Sequence, residues 1–156
     1  MFRIRHRPAA LAAALVLAVV PVACGSDENA DGVPKQFQEY CGAMKKYQEI
    51  FADDGTGLGL VTNIPKLEKL EKVAPDDLQD EWQSFLSALE GLRNAITAVG
   101  LKPTDFVNAM PPVGLTKEDQ AIIAAAADRL AQDDVAGAAA GIEQQAKDVC
   151  KLQLGL

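Results

Sequence analysis

Residues 75–100 read PDDLQDEWQSFLSALEGLRNAITAVG, and this stretch decides the fold class of the chain. Its large apolar residues recur at alternating intervals of four and three, which places them along one face of an α-helix. They are Leu78, Trp82, Phe85, Leu89, Leu92, Ile96 and Val99. Pro75 suits a helix start and Gly100 a helix end. The stretch therefore predicts a long amphipathic helix whose apolar face must be covered by other elements.

The same periodicity predicts helices on both sides of this stretch. An amphipathic helix is expected over 34–51, a short one over 64–73, and two more over 117–130 and 133–149. In the helix over 117–130, four residues are expected to be buried: Ile122, Ile123, Ala126 and Leu130. Strand signals are absent. We therefore predict an all-α fold, an antiparallel helical bundle of four to six helices.

The first 23 residues have the layout of a secretory signal. Arg3, Arg5 and Arg7 precede an uninterrupted apolar run over 9–20, and Pro21 follows it. A helix that spans a bilayer needs roughly 20 apolar residues. The run is too short to remain as a membrane-spanning helix, so we expect residues 1–23 to be removed on export.

The end of this leader carries a more specific signal. Residues 22–25, Val-Ala-Cys-Gly, resemble the lipobox of bacterial lipoproteins, although Pro21 stands where those proteins usually carry Leu, Val or Ile. The resemblance implies that Cys24 is lipidated and becomes the first residue. Residues 24–32 would then form a flexible tether and 33–156 the helical domain. The alternative is a plain secretory signal that is cut after Ala23 and leaves Cys24 as a free thiol.

The layout of the whole chain also resembles that of a lipoprotein. The alanine-rich leader, the polar tether and the two cysteines near the ends of the domain resemble small helical lipoproteins of high-GC Gram-positive bacteria. This resemblance implies a protein held by its lipid at the extracytoplasmic face of the cell membrane. It implies no particular ligand.

The cysteine count predicts a disulfide. Three cysteines follow the leader, and an odd cysteine in an exported protein needs an explanation. Lipidation of Cys24 leaves Cys41, on the apolar face of the first helix, and Cys150, beside the apolar face of the last. Export supplies an oxidising compartment. We expect a Cys41–Cys150 disulfide that closes the bundle; a redox-active pair is the alternative, although such pairs usually lie close together as C-x-x-C.

Composition restricts the function. The chain has 15 basic and 22 acidic residues, and because three of the basic ones lie in the leader, the net charge after its removal is −10. No basic cluster offers a site for phosphate backbones, so we expect no nucleic-acid partner. The only histidine, His6, is also in the leader. The mature chain has no imidazole for acid-base work or zinc binding.

Neither the acidic pairs nor the glycine-rich segment provides a strong site signal. Asp76-Asp77, Glu118-Asp119 and Asp133-Asp134 lie at predicted helix starts, where the helix dipole favours negative charge. The segment over 53–62, DDGTGLGLVT, lacks the spacing of a phosphate-binding or calcium loop and is expected to be a flexible connection. We therefore predict no metal site, no cofactor and no enzymatic activity.

Two functional hypotheses remain after these exclusions. The first is a non-enzymatic module that presents a helical surface to a protein partner at the cell envelope. The second is a carrier whose bundle interior holds a lipid or another apolar molecule, because helix bundles build ligand sites between facing helices. The residues proposed to line such an interior are Met44, Tyr47, Trp82 and Phe85. At this spacing Trp82 and Phe85 are more often core residues than ligand contacts.

Overall fold

The computed structural model describes residues 32–52, 58–107 and 110–156. The leader, Cys24 and all of the tether except Gly32 lie outside these residues. The α-helices of the described residues are α1 (Gln38–Tyr47), α2 (Leu58–Thr62), α3 (Ile64–Glu71), α4 (Gln79–Ala98), α5 (Lys117–Leu130) and α6 (Asp133–Asp148). Short 3-10 helices span Lys35–Phe37, Gln48–Phe51, Asp76–Leu78 and Pro103–Asp105. The described residues contain no strand, and Val107 and Met110 form an isolated bridge.

Helix α4 is the centre of the bundle. It packs most extensively against α6 and then against α5, α3 and α2. Gly141, in the second half of α6, approaches the start of α4 so closely that a Cβ atom there would lie 3.3 Å from Cγ of Glu81. The absence of a side chain at Gly141 therefore lets α6 lie close to α4 at this point. The predicted all-α antiparallel bundle is confirmed.

The periodic residues of α4 and its two flanking positions lie mostly in the core, as their spacing predicts. Six of the seven are buried: Leu78, Trp82, Phe85, Leu89, Leu92 and Ile96. From the other helices, Met44, Ile64, Leu67, Leu70 and Ile142 are fully buried against them. Burial of this apolar surface stabilises the fold at about 25 cal/mol per Å².

The helix ends follow the sequence signals. Gly100 has a φ of +79°, a backbone conformation that favours glycine, and the next amide, of Leu101, donates to the Ile96 carbonyl at 3.1 Å. At the start of α5 the Asp119 amide donates to Oγ1 of Thr116 at 3.1 Å, and the Thr116 amide donates to Oδ2 of Asp119 at 3.3 Å. This is a capping box, which satisfies two amides that lack a partner within the helix.

The disulfide is also confirmed. Cys41 and Cys150 are bonded, with their Cα atoms 5.0 Å apart and 109 positions apart in sequence. The bond joins the first long helix to the segment that follows the last. Both cysteines are buried.

Two segments differ from the prediction. Residues 58–62 form α2 rather than a loop, with Val61 buried in the core; residues 53–57 lie outside the described residues. In α5 no residue is fully buried, and Ile122, which we expected in the core, is 44% exposed. Ile123, Ala126 and Leu130 are half-buried. Helix α5 therefore lies on the surface of the bundle.

Tyr40 and Trp82 form the polar contact at the centre of the core. The indole Nε1 of Trp82 donates a hydrogen bond to the Tyr40 hydroxyl at 3.1 Å, and both side chains are buried. Burial raises the pKa of Tyr40 from its ordinary value of 10.0 to about 12, and the hydrogen bond from Trp82 lowers it slightly. The folded protein therefore holds the phenol proton at a pH where the unfolded chain releases it.

We expect Tyr40→Phe to have two effects on stability. At neutral pH it leaves the Trp82 N–H without an acceptor in the core, which costs about 1–3 kcal/mol. Because the pKa of Tyr40 is higher in the folded state, wild-type stability should also fall as the pH rises above 10, by about 1.4 kcal/mol per unit until about pH 12. This loss of stability at alkaline pH should be absent from Tyr40→Phe. Urea unfolding across this pH range measures both effects.

Tyr47→Phe is the matched control for this experiment. Tyr47 is half-buried and has the Lys46 ammonium 5.4 Å from its ring centroid, so removal of its hydroxyl should leave the core intact. Equal losses for the two variants, or an unchanged alkaline profile in Tyr40→Phe, would show that the buried hydroxyl is not responsible.

Candidate functional site

An apolar groove with a volume of about 500 Å³ lies between α4, α5 and α6. Helix α4 contributes Phe85, Leu89 and Leu92. Helices α5 and α6 and the turn between them contribute five alanines, one leucine and one carboxylate: Ala127, Leu130, Ala131, Ala136, Ala139, Ala140 and Glu143. Phe51, Leu60, Gly155 and Leu156 complete the lining. We call this feature the apolar groove.

The groove exists because alanines face large residues. Alanine side chains on α5 and α6 do not reach far enough to fill the space in front of Phe85, Leu89 and Leu92 on α4. Helix α5 also packs mainly on α4 and has few contacts with α6, so the two alanine-rich helices do not close the space between them. The alanine runs therefore leave room for an additional molecule.

The C-terminal segment closes one side of the groove. Lys151 has a φ of +58°, and the next amide, of Leu152, donates to the Ala146 carbonyl at 3.0 Å, a turn that redirects the chain after α6. Further along, the amide of the Gln48 side chain donates to the Gln153 carbonyl at 3.0 Å, and Leu154 is buried. These contacts hold Leu156 in the groove wall.

An ion pair fixes the turn between α5 and α6. The guanidinium of Arg129 donates two hydrogen bonds of 2.6 Å each to the Asp134 carboxylate. This pairing holds the pKa of the Asp134 carboxyl below its usual value and raises the pKa of Arg129. Leu130 and Ala131, between the two charged residues, lie in the groove wall, so the ion pair positions part of the lining.

The sequence identified one of the lining residues and missed the others. Phe85 borders the groove, as proposed for a carrier. Trp82 touches Phe85 edge-on, with ring centroids 6.5 Å apart, but it lies with Met44 in the closed core. Tyr47 is half-buried and does not line the groove. The signal that could have located the groove was the pair of alanine runs, Ala124–Ala127 and Ala138–Ala140.

A second feature lies between α4 and α5. Val107, Met110 and Val113 are each at least 63% exposed, although all three are large apolar residues. Residues 106–116 contain no charged side chain. Three exposed apolar residues so close in sequence mark a segment suited to contact with another apolar surface.

Other kinds of site have little support within the described residues. They contain no group of three or more histidine, cysteine or carboxylate side chains that could hold a metal ion. The acidic pairs at 76–77, 118–119 and 133–134 lie in the first turns of helices. No helix in the same residues is long and apolar enough to cross a membrane.

The chain was also compared with family models, curated proteins and solved structures, and none of them matches it.

Proposed function

We propose that this chain is a lipoprotein, held by lipidated Cys24 at the extracytoplasmic face of the cell membrane, that binds an apolar molecule in the apolar groove. The groove is the observation that carries the proposal. Its volume of about 500 Å³ lies within the range of about 300–1,000 Å³ usual for ligand sites, and its lining is apolar except for Glu143. The residues that line it include no pair suited to acid-base or nucleophilic chemistry, so binding without turnover is the function proposed.

Burial of apolar surface would supply the affinity. The large side chains of α4 form the floor of the groove, and each Å² of apolar surface that a ligand and the groove bury together contributes about 25 cal/mol. An acyl chain or a flat apolar molecule meets this requirement. A highly polar ligand does not, since it would lose its hydration and find one carboxylate as its partner.

The lipid anchor would place this site near a source of apolar molecules. Two or more acyl chains anchor a protein stably at a membrane, whereas one does so only marginally. The eight residues between Cys24 and Val33 reach at most about 29 Å when extended. The domain would therefore stay close to the bilayer surface, where lipids are concentrated.

The test is mass spectrometry of protein purified from its own host, on a digest for the lipid anchor and under native conditions for the bound molecule. The N-terminal peptide should carry the mass of attached acyl chains on Cys24, and the intact protein should carry an additional apolar molecule. Ala140→Phe, which places a ring in the groove, should reduce the bound fraction by about tenfold, since the ring competes for the same volume.

Ala124→Phe is the control for this substitution. It makes the same change at an exposed position of α5 that does not line the groove, and it should leave binding unchanged. Consistent absence of a co-purifying molecule, or equal binding by the two variants, would refute the ligand site. An unmodified Cys24 would refute the anchor and leave the groove unaffected.

The exposed segment with Val107, Met110 and Val113 supports a second candidate, an envelope protein partner. Apolar side chains at least 63% exposed gain free energy when a partner covers them. Crosslinking in cells from position 113 distinguishes the two functions. A specific crosslinked protein together with an empty groove would favour the partner over the ligand.

A further inference from the structure

Glu143 gives the apolar groove a negative charge. It is the only ionisable side chain among the residues that line the groove, and it is half-buried. The ion pairs of the described residues join Arg93 to Glu90 and Arg129 to Asp134, so neither involves Glu143. Its carboxylate also has no hydrogen-bond partner within the part of the chain that the structure describes. The carboxylate is therefore available to a ligand.

Arg129 and Lys147 form no ion pair with Glu143 within the described residues. Arg129, the cation nearest in sequence to the α5 lining, is neutralised by two hydrogen bonds to Asp134. Lys147 lies one turn further along the same face of α6 and is exposed to water, which screens its charge. With a net charge of −10 after removal of the leader, the chain disfavours anions at the groove in general.

We propose that the apolar groove selects single-chain amphiphiles with a cationic, hydrogen-bond-donating head group, and that Glu143 is the residue that determines this selectivity. The inference rests on the proposed ligand-binding function and names its ligand class. An ammonium group beside Glu143 donates charge-assisted hydrogen bonds to the free carboxylate while its alkyl chain covers Phe85, Leu89 and Leu92. A fatty acid of the same length places a second carboxylate beside the first.

The test compares three probes with the same alkyl chain: dodecylamine, dodecanol and dodecanoate. Isothermal titration calorimetry is carried out on the mature chain with Cys24→Ser, at neutral pH and below the concentrations at which the probes aggregate. We expect dodecylamine to bind about tenfold more tightly than dodecanoate, equivalent to about 1.4 kcal/mol. Dodecanol should bind with intermediate affinity.

Glu143→Gln isolates the contribution of the carboxylate. It should remove most of the preference for the amine and leave dodecanol binding unchanged, because the apolar lining is intact. Asp148→Asn is the matched control: it removes one negative charge from the same helix at an exposed position outside the groove, and the preference should persist. Far-UV circular dichroism verifies that both variants are folded.

The possible outcomes separate the two proposals. Binding of dodecanol without a preference for the amine, or a preference that survives Glu143→Gln, overturns the selectivity and leaves the ligand site standing. Absence of binding by all three probes overturns both. Loss of the preference in Glu143→Gln alone supports the inference.

Discussion

Removal of the Cys41–Cys150 disulfide should lower the free energy of unfolding by about 4–5 kcal/mol. The bond joins residues 109 positions apart, so it closes nearly the whole domain into one loop. In the chain-entropy description, a cross-link stabilises the folded state by restricting the unfolded one, and the effect grows with loop length. Chemical denaturation of Cys41→Ala/Cys150→Ala, compared with the oxidised wild type, measures the difference.

The two single variants provide an internal check. Each one breaks the same bond, so Cys41→Ala and Cys150→Ala should each lose nearly the full amount, and the double variant should lose little more. Cys24→Ala keeps the Cys41–Cys150 bond and should leave the stability unchanged. Losses that simply add would indicate that the cysteines act through packing rather than through their bond.

The expected loss of stability without the disulfide bears on where the protein is located. Single domains are stable by only about 5–15 kcal/mol, so a loss of 4–5 kcal/mol leaves a marginal bundle. Disulfides form and persist outside the reducing cytosol. A domain that depends on Cys41–Cys150 is therefore suited to the exported state that the leader predicts.

The sequence predicted the helices whose large apolar residues repeat regularly. In α4 and α6 the spacing of four and three places residues such as Leu89 and Ile142 on one face, and that face is buried. The caps at Gly100 and Thr116 were also predictable, because a left-handed turn and a capping box depend on local chemistry alone. The disulfide followed from counting cysteines and from the position of Cys41 on an apolar face.

Long-range arrangement was not predictable in the same way. Gly59 lies within α2, where its low helix propensity is outweighed by burial of the neighbouring Val61. Periodicity identifies the apolar side of a helix but not how completely another element covers it, so Ile122 was expected in the core although it is exposed on α5. The groove is harder still to predict from the sequence, because it is the space that the short alanine side chains of α5 and α6 leave unfilled.

Ile142→Ala should destabilise the domain by about 2–5 kcal/mol. Ile142 is fully buried at the centre of α6, one position from the close approach of Gly141 to α4. Truncation of its side chain removes apolar contacts and leaves a cavity that neighbouring backbones cannot collapse to fill. Thermal or urea unfolding measures the loss.

Ile122→Ala makes the same chemical change at a site that the sequence alone does not distinguish from Ile142. Both residues lie on alanine-rich helices, but Ile122 is 44% exposed on α5. Its truncation should therefore cost about 1 kcal/mol or less, because roughly half of the side chain already contacts water. If the two variants lose equal stability, α5 is packed as tightly as α6, and a groove between them would have no physical basis. A large difference would support the arrangement in which α6 completes the core and α5 lies outside it, along the apolar groove.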